Sequence, residues 1–300
     1  MLTGIHFLLT YSCNFECDHC FLYCSPRSEG TFTISQIKKV LDEAKRLETV
    51  KEIYFEGGEP FLFYPIMIEG IKLACKAGFN VGIVTNSYWA TNVQDSIIWL
   101  KPLKDLGLFD FSVSNDDFHF DSTEKNNAKI AMEAAKKLRL PIYSICIDQP
   151  QIIMNEITDS GDKNFSQESS LRYRGRAVDT LINKSMCKKE WQELNECKYE
   201  DLESLGRVHV DPFGNVFICQ GLSIGNYLHV SFSKIIKDYE PHSHPIIEPL
   251  LEGGPTKLIE EYNINHEEKY VDECHLCYLA RKNLIEKFPE FLGPKQVYGL

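Results

Sequence analysis

The sequence predicts an α/β fold: a partial (β/α)6 TIM-like barrel followed by a small α+β unit. Three observations carry that expectation. Short apolar runs alternate five times with segments whose apolar residues recur at helical spacing. Loops rich in cysteine, glycine and polar residues follow the strand-like runs, and after about residue 186 the alternation gives way to a different texture.

The elements are justified in chain order. "IHFLL" (5–9) reads as a buried strand, and "TFTISQIKKVLDEAKRL" (31–47) follows with Ile34, Ile37, Val40, Leu41, Ala44 and Leu47 on one helical face. Thr33 and Gln36 there form a T-x-x-Q capping box. "EIYF" (52–55) is a strand, "YPIMIEGIKLACKAG" (64–78) a helix and "NVGIVT" (80–85) a strand. A helix within 91–106, the strand "DFSVS" (110–114), the helix "EKNNAKIAMEAAKKL" (124–138) and the strand "IYSICI" (142–147) continue the series. Strands separated by helix-length connections pair in parallel with right-handed crossovers. Residues on the loops after them converge on one mouth.

Between 149 and 185 a polar loop, "TDSGDKNFSQESS", precedes "LRYRGRAVDTLI" (171–182), expected as a sixth strand and turn. "RVHVDPFGNVFIC" (207–219) reads as a hairpin around a D-P-x-G-N turn. "PTKLIEEYN" and "CHLCYLARKNLIEKF" read as helices. The expected division is a barrel over 1–185 and an appendage over 186–300.

Composition narrows the function classes. With 43% hydrophobic and 25% charged residues the chain is ordinary for a globular protein, and its net charge of -11 with no Lys/Arg cluster argues against nucleic acid. The first apolar run is too short for a signal or membrane segment and no basic stretch precedes it, so a cytoplasmic protein is expected. With the barrel expected to begin within about five residues, no separate leader-binding segment is expected ahead of it. In a reducing compartment eleven cysteines point to metal ligation more than to disulfides. They fall into a front cluster and a carboxy-terminal group.

Cys13, Cys17 and Cys20 lie in "CNFECDHC", directly behind the first strand. Three thiolates on one loop suit an iron–sulfur cluster with one iron left open, whereas structural zinc needs a fourth ligand, for which Cys24 or His19 is at hand. Spacing alone does not separate the two. Cys24, Cys75 and Cys146 carry no motif and are expected as small buried hydrophobes.

Cys13-x3-Cys17-x2-Cys20 after the first strand, with "GGEP" (57–60) after the second, resembles the radical SAM superfamily over roughly residues 5–148. That resemblance implies a [4Fe–4S] cluster on Cys13, Cys17 and Cys20 whose open iron binds S-adenosylmethionine (SAM). It also implies reductive cleavage of SAM to a 5′-deoxyadenosyl radical that abstracts a hydrogen atom, with a flavodoxin- or ferredoxin-type protein as electron donor. Carried over by position, Gly57 and Gly58 approach the methionyl amino group, with Glu59 as polar support. Thr85, Asn86, Ser112, Ser114 and Asp116 match positions facing the methionyl and ribose groups. His19 stands where the family usually has an aromatic beside the adenine. His119 is a candidate for the barrel mouth, and the acidic pair Asp116 and Asp117 is a candidate for a substrate amine or a turn. Of Arg172, Arg174 and Arg176, Arg174 is the candidate for a carboxylate of SAM.

Cys197, Cys219 in "GNVFIC", and Cys274 and Cys277 in "CHLC" resemble a SPASM or twitch auxiliary domain. No cysteine follows Cys277, which favours the shorter twitch type with one further [4Fe–4S] cluster, zinc being the competitor at this second site. Cys187 is expected as a spare thiol, a fifth ligand or a hydrogen-atom donor.

The functional expectation is a radical SAM enzyme acting on a peptide or protein by crosslinking, epimerisation or oxidation. The alternatives are rearrangement, oxidation or dehydration of a small metabolite, and a non-catalytic electron-transfer or redox-sensing protein.

Overall fold

The computed structural model describes residues 1–120, 125–150, 171–184 and 188–300. Five strands alternating with four helices open the chain: β1 (Gly4–Thr10), α1 (Ile34–Arg46), β2 (Glu52–Gly57), α2 (Tyr64–Lys76), β3 (Asn80–Thr85), α3 (Val93–Asp105), β4 (Asp110–Ser114), α4 (Asn127–Leu138) and β5 (Ile142–Ile145). α5 (Ala177–Thr180) and β6 (Lys189–Glu190) are short. They lead to β7 (Arg207–Val210), β8 (Asn215–Cys219), β9 (Leu222–Asn226), α6 (Phe232–Lys237), α7 (Ile247–Tyr262), β10 (Lys269–Tyr270) and α8 (Glu273–Leu284).

One eight-stranded sheet runs in the order β5-β4-β3-β2-β1-β7-β8-β9, parallel from β5 through β7 and antiparallel through β8 and β9. Helices cover one face. α1 packs on α2 and α3 on α4, and the odd-numbered positions of the first strands meet them: Phe7 stacks on Phe55 with ring centroids 5.3 Å apart. The even-numbered positions face the other way and include the polar side chains His6, Tyr54 and Glu56 beside Leu8 and Val84. His6 lies beside Tyr54 in register, and the Tyr54 ring occupies space that a Cβ on Gly82 would enter at 2.3 Å. Tyr54 donates to Asp110 Oδ2 at 2.9 Å.

The capping box at Thr33 and Gln36 is present, with both backbone N–H groups bound by the opposite side chain. Such caps contribute about 1 kcal/mol. α7 kinks where Gly253 and Gly254 leave helical geometry, ahead of Pro255.

Residues 171–182 do not form the expected strand. The segment is irregular to Arg176 and then turns into α5, because its backbone is bound to the cysteine loop: the Arg176 N–H donates to Cys20 O at 3.0 Å. Gly175, at φ +63°, lies so close to the same loop that a Cβ would sit 2.4 Å from Cys20 O. The sixth parallel strand of the sheet is β7, on the other side of β1. Of the cysteines expected to be buried, Cys24 is buried and Cys75 is half-buried in α2, while Cys146 is exposed. The last follows from its place, just past the end of the edge strand β5. Cys187 lies outside the described residues.

Candidate active site

The loops after β1, β2, β3 and β4 meet around a cavity of about 360 Å³. Cys13, Cys17 and Cys20 lie in its wall with His19, Gly57, Gly58, Thr85, Asn86, Ser114, Asp116 and Arg174. Phe15, Phe21, Glu56, Val84, Ile145 and Ile147 complete much of the apolar and acidic lining, and sequence reasoning missed them. For Glu56 a signal existed, since a carboxylate at an inward position of a buried parallel strand needs a reason to be there.

The cysteine loop is held by backbone hydrogen bonds from the "GGEP" turn. Gly58 N–H donates to Thr10 O at 2.7 Å, and Glu59 N–H to Ser12 O at 3.0 Å. A Cβ on Gly58 would lie 2.2 Å from Ser12 O, and one on Gly57, at φ +125°, would lie 2.5 Å from Thr10 O. The glycines thus permit close contact between this turn and the loop that presents the thiols.

Glu59 is fully buried behind the cavity wall. Its carboxylate accepts from Thr85 Oγ1 at 2.8 Å, Asn86 N–H at 2.7 Å and Phe61 N–H at 3.0 Å, tying the end of β3 to the turn after β2. Burial pushes this carboxyl up to about 7, against the pull of those donors. Asn86 then reaches the thiols, its Nδ2 lying 3.6 Å from Cys13 Sγ. Ser112 is not brought to the cavity wall; its hydroxyl donates to Asp110 Oδ1 at 2.8 Å.

Asp116 is buried and accepts from the N–H groups of Phe118 and Ile147, and His119 Nδ1 lies 2.7 Å from its Oδ1. Asp117 is exposed. His19 packs on Phe118 with ring centroids 4.4 Å apart, its Nδ1 buried without a hydrogen-bond partner. Burial pushes this imidazole down to about 4.

The three arginines divide their work. Arg176 donates to the carbonyls of Cys17, Tyr23 and Cys24, fixing the shape of the cysteine loop. Arg172 stacks over Tyr199 at 3.4 Å. Arg174 lies in the wall of the main cavity and also in that of a second, smaller one, formed with Cys197, Cys219, Cys274 and Cys277. Its Nη1 donates to Glu200 Oε1 at 3.1 Å and to Cys219 Sγ at 3.3 Å. Cys274 and Cys277 lie within the first five residues of α8, which Asp272 caps.

The donor chemistry fits clusters at both places. Among the described residues, no three of these cysteines have sulfurs all within 4.8 Å of one another. A single tetrahedral zinc holds thiolates about 3.8 Å apart. Backbone N–H groups of Phe15 and Cys24 donate to the sulfurs of Cys13 and Cys20 at 3.4 and 3.2 Å, as they would to cluster-bound thiolates. With no metal, burial pushes the Cys13 and Cys197 thiols up to about 12, so loading either site displaces protons.

Residues 7–143 match the family model described as the radical SAM superfamily. The chain carries a radical SAM domain. Proteins with this domain are enzymes that bind a [4Fe–4S] cluster and SAM. YydG of Bacillus subtilis (strain 168), whose name assigns it to peptide biosynthesis, is 24% identical over 286 residues, covering 94% of this chain and 80% of its own. AlbA of the same organism, the antilisterial bacteriocin subtilosin biosynthesis protein, is 24% identical over 92% of this chain and 67% of its own. The crystal structure of BtrN in complex with AdoMet and 2-DOIA superposes with a TM-score of 0.55 at 17% identity, over 84% of this chain and 88% of that one, a likeness of fold. Among the described residues, no helix is long and apolar enough to cross a membrane.

Proposed function

We propose that this radical SAM enzyme modifies a peptide or protein, using a radical-initiating [4Fe–4S] cluster on Cys13, Cys17 and Cys20 and an auxiliary [4Fe–4S] cluster on Cys197, Cys219, Cys274 and Cys277. The single observation that carries the two-cluster reading is the pair of cysteine-lined cavities that share Arg174 as a common wall. The peptide reading draws support from YydG and AlbA, each similar to this chain over more than nine-tenths of its length.

Loaded, the first cluster and SAM supply a 5′-deoxyadenosyl radical. The chain's own residues do the rest. Gly57 and Gly58 leave room for the methionyl end. Thr85 and Asn86 are fixed by Glu59, and Ser114 and Asp116 present polar atoms for the ribose side. His19, packed against Phe118 at a 30° tilt, presents its ring to the cavity on the side proposed for the adenine. Val84, Ile145 and Ile147 keep that region apolar, which limits water near a reactive carbon. The division into a barrel over 1–185 and a cluster-holding appendage over 186–300 belongs to the same proposal. β7 and β8 bridge the two, since they extend the barrel sheet and end at Cys219.

The test is incubation of the reduced, two-cluster protein and SAM with a short peptide encoded beside its gene, followed by mass spectrometry. Loss of two hydrogen atoms from the peptide, or one solvent deuterium gained in heavy water, supports the reading. An unmodified peptide, with turnover of a small metabolite from the same gene neighbourhood, overturns it.

A further inference from the structure

Three adjacent parallel strands each point a metal-ligating side chain to the same side of the sheet: His6 on β1, Glu56 on β2 and His209 on β7. The register places His6 beside His209 and Leu8 beside Glu56. One ligand atom from each of His6, Glu56 and His209 lies within 4.8 Å of the other two. His209 Nε2 is 3.0 Å and His6 Nδ1 3.3 Å from the same carboxylate oxygen.

Hydrogen bonding accounts for only part of this. His6 Nδ1 is buried and has no hydrogen-bond partner in spite of its approach to Glu56. Two ring nitrogens and a carboxylate oxygen therefore converge, with the His6 contact too poorly aligned to make a full hydrogen bond. Three ligands about 2.1 Å from one cation at right angles place their donor atoms about 3.0 Å apart, which the two distances to Glu56 Oε1 approach.

We propose that His6, Glu56 and His209 form a mononuclear site for a first-row divalent cation. Two histidines and one carboxylate on one face leave the remaining coordination positions open, and Glu56 borders the main cavity, so those positions are accessible from it. The site takes oxygen- and nitrogen-preferring ions and is distinct from both cysteine groups. Tyr54 holds the His6 ring by stacking at 4.6 Å. His209 is held by burial, and its Nδ1 lacks the second hydrogen bond that usually supports a ligating imidazole. Affinity is accordingly lowered by about 10- to 100-fold from a fully supported site, and titration, not retention on dialysis, is the proper readout.

The experiment is titration of the cluster-loaded protein with Mn2+, whose free six-line EPR signal reports uptake. Mn2+ avoids the thiolates, which the clusters already occupy. Wild type is expected to take up one ion per chain, with affinity at least tenfold weaker in Glu56→Gln and in His209→Gln. Iron content and melting temperature check that these variants fold. Bound Mn2+ is also expected to hasten relaxation of the reduced barrel cluster's EPR signal in wild type, which locates the ion without any variant. An undiminished free signal overturns the proposal. So does uptake that survives both substitutions, or that is lost instead in His119→Gln, since His19, Asp116 and His119 form the other such group among the described residues.

Discussion

Arg174 Nη1 lies 3.3 Å from Cys219 Sγ, and the same side chain forms part of the wall around Cys13, Cys17 and Cys20. In the proposed auxiliary cluster, a hydrogen bond and a positive charge at the Cys219 sulfur would stabilise the reduced, more negative state. Arg174→Gln should lower the midpoint potential of the second cluster by a tenfold change in the oxidised-to-reduced ratio, about 59 mV for one electron. Potentiometric EPR separates this from the first cluster, whose potential should move less.

Gly58→Ala places a methyl group on Ser12 O. Relief requires the cysteine loop or the turn after β2 to move, and in either case the thiols shift. SAM cleavage should fall at least tenfold, with weaker SAM binding by equilibrium dialysis, while iron in the second site is retained.

Glu59 sets a pH dependence whose sign follows from its environment. Its folded value of about 7 lies above the ordinary 4.5, so the folded chain holds the proton more tightly. The contribution is fully present below about pH 4.5 and is lost as pH rises through about 7. Glu59→Gln removes the titration. The stability of wild type relative to this variant should therefore decline between pH 4.5 and 7, by on the order of 1–3 kcal/mol, as read from denaturant melts of both proteins at each pH.

Arg176 satisfies three carbonyls of the cysteine loop, and hydrogen bonds from a charged donor contribute about 1.5–3 kcal/mol each. Arg176→Ala should make the first cluster labile. Iron analysis after gel filtration is expected to show loss from the barrel site with the second site kept.

Much of the barrel was legible because its strands are short apolar runs separated by helix-length segments and its helices carry their own signals. Thr33 and Gln36 sit three apart in sequence and cap α1 as that spacing implies. What escaped was long-range. Nothing in the period of "RVHV" says that it joins the free edge of β1, since a strand's pattern records its burial and not its neighbour. The segment 171–182 looked strand-like, yet Gly175 and Arg176 bind the cysteine loop instead of a ladder. The cysteine spacings were readable. That Arg174 stands between the two groups was not, because its contact with Cys219 spans 45 residues and depends on how β8 meets the loop before α5.

The most direct measurement is 5′-deoxyadenosine formation by the anaerobically reconstituted protein given SAM and dithionite, with iron and zinc analysed in the same sample. The account expects 5′-deoxyadenosine from wild type and none from the protein with Cys13, Cys17 and Cys20 all replaced by alanine. That variant should keep about half the iron, if two like clusters are present. A colourless, zinc-containing protein that leaves SAM intact would contradict it.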